Sequence, residues 1–179
     1  MRRTLSKNTR KELFLILAAP IHFWAVLMFF LNFPKSELRF WTAIGLLSYD
    51  MVIAFIDSIL LFLIVYLVGV ILPKQWDEDK KLLFLGNLGF TIFLGLIFGQ
   101  FLDSSPLKRW QMWGIVGVIS LLFLAFFEYF SLTKKSVAAI HLDFFNRLTF
   151  LSYMFLGLDI LGLGIIFVRN IFCTVELFL

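Results

Sequence analysis

Residues Phe40–Leu72 read FWTAIGLLSYDMVIAFIDSILLFLIVYLVGVIL, an apolar run closed by Pro73 and free of lysine and arginine. Only Ser48–Asp50 and Asp57–Ser58 interrupt it. As a helix rising about 1.5 Å per residue, the run would measure about 50 Å, against a bilayer hydrocarbon core of about 30 Å. It therefore holds one crossing, at about Ile44–Leu72. Either that helix tilts and projects, or Phe40–Tyr49 lies in the interface before the chain turns inward. Two crossings would need a polar turn inside the run, and neither interruption is long enough to make one.

Working outward, four further runs are long enough to cross: Leu13–Phe33, Leu82–Leu102, Trp110–Leu132 and Leu148–Val168. All 16 Lys and Arg fall outside the five stretches. Backbone groups in lipid must be satisfied within the segment or within a closed barrel, and these runs lack the alternation of barrel strands. The expected fold is an all-α integral membrane protein, a bundle of five transmembrane helices forming one polytopic domain over residues 1–179. Between the last two spans, Lys134–Arg147 sets Val137, Ile140 and Phe144 at helical spacing with Phe145 beside them. That pattern suits an interfacial amphipathic helix before the fifth span, and equally an ordinary loop.

Composition leads to the same class. Hydrophobic residues make up 61% and charged residues 16% of the chain, with mean hydropathy +0.94, where soluble chains hold about 45–50% and about 25%. A soluble enzyme, a disordered chain and a nucleic-acid module are excluded. The pI near 9.3 reflects how basic residues are distributed between the flanks. With five spans, eleven Lys and Arg share the side of the N-terminal arm (Arg2, Arg3, Lys7, Arg10, Lys11) and five lie opposite. Positive charge favours the cytoplasm, so the N-terminus is expected there and the C-terminus outside, in the cell (inner) membrane. The first apolar run covers 21 residues, longer than the roughly 7–15 of a signal peptide, and no small-x-small site follows it. It reads as a retained anchor. Trp41, Trp76, Trp110 and Trp113 sit at or near span ends, where indole rings favour the headgroup level.

The spans contain four carboxylates, Asp50, Asp57, Glu128 and Asp159, and no Lys or Arg to neutralise them. An acid at mid-membrane costs about 2.5–3.5 kcal/mol on insertion scales, so depth sorts them. Asp50 lies near the outer end of its span, and Glu128 about 10 Å from the middle of its own. Both are expected to reach water. Asp57 and Asp159 fall within one residue of their span centres, as does His22 in the first span. His22, Asp57 and Asp159 are therefore the leading candidates for an ion or proton site, with Asp50 and Glu128 secondary. Asp50, Ala54, Asp57 and Leu61 share one helical face, as do Ala18, His22 and Ala25, and Ser152, Asp159 and Gly162. Asn87, Thr91, Gly95 and Gly99 recur every four residues, the last two forming a G-x-x-x-G stripe suited to close helix packing.

No dinucleotide, Walker, serine-hydrolase or zincin motif is present. With two histidines and one cysteine, no metal or other cofactor is expected. The expected partners are the lipid bilayer and either other membrane proteins or further copies of the chain, with no nucleic acid. Three functions fit. The first, which asks least of the residues, is a non-catalytic subunit or accessory protein of a membrane assembly. The second is a small proton- or cation-coupled transporter working through Asp57 and Asp159. The third is a membrane-embedded lipid-modifying enzyme using His22 as acid and base, so catalysis is the least favoured reading.

Overall fold

The computed structural model describes residues 5–32, 40–102 and 109–176. Five helices follow one another: α1 (Lys7–Asn32), α2 (Phe40–Ile71), α3 (Glu78–Leu102), α4 (Arg109–Thr133) and α5 (Lys135–Glu176). Each is long and apolar enough to cross a membrane, and no strand occurs among the described residues.

The long second run is one unbroken helix of 32 residues, so Phe40–Tyr49 continues the same helix and the chain makes no turn after it. Its polar interruptions are absorbed within the helix. Ser48 Oγ donates to the Ile44 carbonyl at 2.8 Å and Ser58 Oγ to the Ala54 carbonyl at 2.7 Å, which satisfies each hydroxyl without a turn. The expectation of a separate amphipathic helix before the fifth span is corrected in the same way. Lys135–Arg147 is helical, but it is the first part of the 42-residue α5. No Pro or Gly lies between Lys135 and Leu156 to end the helix, and Phe145 is buried in the core.

The helix starts are capped. Ser6 Oγ accepts from Thr9 N at 3.1 Å, and Asp77 Oδ1 accepts from Lys80 N at 2.8 Å, each satisfying a first-turn N–H that the helix leaves open. Glu78 ties the two starts together, its Oε2 accepting from Thr9 Oγ1 at 2.6 Å and from Ser6 N at 3.3 Å. A single residue, Lys134, separates α4 from α5.

Helix α1 packs against α2, α3 and α5. From Leu15 to Pro20 every side chain is buried, which requires neighbours on all sides. Ala18, Ala19 and Pro20 are small enough to let those neighbours approach. Leu13, Ile16 and Leu17 join Leu61, Val65, Leu85 and Phe145 in one apolar core. Pro20 has no N–H for the Ile16 carbonyl, and one residue earlier the Ser152 hydroxyl of α5 donates to the Leu15 carbonyl.

Paired residues give the register. Asn87 meets Ser131 and Gly99 meets Trp113, so α3 and α4 are antiparallel. Ser48 meets Gly162 and Gly45 meets Arg169, so α2 and α5 are antiparallel too. Helices α1 and α5 run parallel, with Leu15 against Ser152 and His22 against Asp159.

Candidate functional site

Of the three central candidates, the structure joins two. His22 Nε2 lies 3.1 Å from Asp159 Oδ1 and 3.0 Å from Oδ2, while Nδ1 lies 2.8 Å from the Ala18 carbonyl one turn earlier. Phe155 stacks on the imidazole with centroids 5.4 Å apart and planes 20° apart. The Ser152–Leu15 and His22–Asp159 contacts both bridge 137 residues, so they recur seven residues apart on each helix. That spacing is two turns, about 10 Å, and keeps both contacts on one seam.

Hydrogen-bond valence determines how many protons the pair holds. A carbonyl only accepts, so Nδ1 carries a hydrogen toward Ala18. Nε2 then faces a carboxyl group, and one further proton must lie between them. The pair is either imidazolium with carboxylate or neutral imidazole with carboxylic acid, and its net charge is zero in both forms. Neutrality is what makes burial tolerable, since an unpaired charge in such surroundings would cost several kcal/mol. His22 is 0% and Asp159 4% exposed. Neither lines any of the four principal cavities along the described helices.

Asp57 does not join them. It is exposed on α2, facing an open groove of about 500 Å³ between α1, α2 and α3, which Asp50 also lines, together with Trp24 and Gln100. Asp57 and Asp50 form no ion pair with any described residue. Three polar groups at one depth therefore do not make one site. The faces of α1 and α5 that carry His22 and Asp159 turn toward each other, whereas Asp57 of α2 meets a different face of α1, the one that carries Ile21, Ala25 and Met28.

Glu128 departs from its expectation of reaching water. It is 8% exposed, and both carboxylate oxygens are buried without a hydrogen-bond partner among the described residues. Its neighbours make a second polar cluster across α3, α4 and α5. Asn87 Nδ2 donates to Ser131 Oγ at 3.4 Å, and Ser131 Oγ lies 2.8 Å from His141 Nδ1. The ring of His141 sits beside Phe127 and Phe145. His141 is not among the residues that depth and helical spacing single out. The sequence marks only the α4 half of this cluster, Glu128 and Ser131 three residues apart on one helical face; the one-residue connection that brings His141 beside them is a feature of the fold.

The stripe on α3 faces α4. A Cβ on Gly95 would stand 2.9 Å from Ser120 Oγ, and one on Gly99 would run into the Trp113 ring. The Thr91 hydroxyl donates to the Asn87 carbonyl at 2.8 Å. Gly86 and Gly89, on other faces, receive Phe145 and Leu17. Among the described residues, no group of three His, Cys, Asp or Glu side chains converges to hold a metal ion.

No protein-family model, no curated protein and no solved structure matches this chain.

Proposed function

We propose that the chain is an integral membrane protein that serves as a non-catalytic subunit or accessory protein of a larger membrane assembly. One observation supports this reading: the acid–base pair at the centre of α1 and α5 is closed, its two side chains buried against each other at 3.0 Å. A proton carrier needs alternating access to two sides and a general acid–base needs a substrate within reach. A sealed, neutral His–Asp contact meets neither need, whereas it does set the register of two helices. The basic flanks support a cytoplasmic N-terminus, an external C-terminus and residence in the cell (inner) membrane.

Solubilising the tagged chain from its native membrane in a mild detergent tests the reading. Stoichiometric co-purifying membrane proteins are expected. A lone chain or homo-oligomer that carries an activity by itself would sink it. The transport reading has one specific footing, the open groove lined by Asp50 and Asp57. It requires that Asp57→Asn abolish ion- or pH-driven flux in proteoliposomes.

A further inference from the structure

We propose that the groove between α1, α2 and α3 seats one transmembrane helix of a different protein, and that this helix places a lysine or arginine against Asp57. The inference rests on the subunit reading above and names the surface and the chemistry of the partner.

Two adjoining grooves make one trough. Ile21, Trp24, Asp57 and Gln100 line both, and along α2 the lining runs from Leu46 through Asp50, Asp57 and Leu60 to Ile64. The eighteen rises from residue 46 to residue 64 correspond to about 27 Å of helix, close to the roughly 30 Å of a bilayer core. An occupant that fills this length crosses the whole core, which a lipid tail confined to one leaflet does not. Spacings of three and four residues along the lining are those against which a packed helix sets its own ridges.

Charge selects the kind of helix. Asp57 stands within two residues of the middle of α2 and faces the trough. It is exposed and unpaired among the described residues, at a depth where neither lipid tails nor bulk water would satisfy a carboxylate. No Lys or Arg occurs in residues 13–32, 40–73 or 82–102, the stretches that border the trough. The basic group nearest in kind, His22, is committed to Asp159. A second copy of the chain cannot supply the charge either, because all its Lys and Arg lie outside the same apolar stretches. The complementary group must come from another polypeptide, and Asp50, on the same face about 10 Å along the axis, offers that helix a second acceptor.

The test places a photoreactive benzoylphenylalanine at Ile53, exposed within the trough, and separately at Ile115, exposed on α4. Each form is illuminated in the native membrane. The Ile53 probe should attach to a transmembrane segment of another protein, and mass spectrometry of the adduct should find a Lys or Arg within that segment's apolar run. Asp57→Asn should cut the yield about tenfold, the scale of one polar contact between membrane helices, and Asp57→Glu should keep it. Asp57→Lys should lose the adduct, and the reciprocal change of the partner's basic residue to Asp should restore it. Asp57 holds no partner among the described residues, so each variant should match the parent's thermal transition in detergent. An adduct only to lipid, to a second copy, or to a segment without a basic residue overturns the proposal, and so does a yield that Asp57→Asn leaves unchanged. Adducts from Ile115 alone overturn the trough while leaving the subunit reading standing. Adducts to no other protein from either position overturn both.

Discussion

His22 presents Nε2 to both carboxyl oxygens of Asp159 at 3.0–3.1 Å while its Nδ1 is held by the Ala18 carbonyl at 2.8 Å. The shared proton in this geometry makes the two residues unequal to substitution. Asparagine at 159 carries its own N–H donor for Nε2 and needs no extra proton, so Asp159→Asn should cost no more than about 1 kcal/mol. His22→Leu leaves a buried carboxyl with no partner and should cost about 3–5 kcal/mol. Unfolding in detergent micelles would show the asymmetry. Equal losses would contradict the proton count.

The share of this fold that could be read from sequence follows from which forces act within one segment. Helix number and type were legible because apolar length is a property of each run, and the face bearing Ser152, Asp159 and Gly162 was legible from helical period alone. Whether Phe40–Tyr49 and Lys135–Arg147 continue their helices was not, since amphipathic and continuous helices share one local pattern. Depth suggested that His22, Asp57 and Asp159 meet. Contact, however, also depends on the rotation of each helix about its axis, which packing between Gly162 and Ser48 and among the residues around Leu17 decides. His141 escaped notice because its partners lie on other helices.

Gly162 should tolerate no side chain beyond the smallest. A Cβ there would stand 3.3 Å from the Ser48 carbonyl oxygen and 3.5 Å from its Cα, and backbone cannot move aside as a flexible side chain can. Gly162→Leu should force α2 and α5 apart at a cost of about 1–3 kcal/mol or more. Gly157→Ala, where nothing stands within 4 Å, should instead stabilise by about 0.5–1 kcal/mol through helix propensity. Thermal melts of the two variants would check the opposite signs.

Both carboxylate oxygens of Glu128 are buried without a well-formed hydrogen bond among the described residues, the Asn87 amide being a neighbour. A buried unsatisfied group costs about 1–3 kcal/mol, so Glu128→Met, of similar length and apolar, should raise stability by about that amount. Loss of stability would show that the carboxyl has a partner in the working protein. Ser131→Ala, by contrast, removes a hydroxyl that bonds both Asn87 and His141 and should destabilise by about 1 kcal/mol.

Glu78 lies four residues before the apolar stretch that begins at Leu82 and links the starts of α1 and α3. The Thr9 hydroxyl, followed by the Ser6 N–H and by Lys81, holds its carboxyl below the ordinary carboxylate value. A depressed folded-state value means the carboxylate form is favoured by folding. The stabilisation is therefore fully present above the unfolded value of about 4.3 and disappears as pH falls through the lower folded one. Amide exchange in the first turn of α1 should accordingly quicken as pH drops below about 4, beyond the intrinsic change in exchange chemistry. In Glu78→Gln that step should vanish, leaving the turn less protected at neutral pH. Thr9→Val should weaken the step by removing the largest contribution while Lys81, 3.3 Å from the carboxylate, remains. An identical pH profile in the parent and Glu78→Gln would show that the junction of α1 and α3 does not depend on this carboxylate.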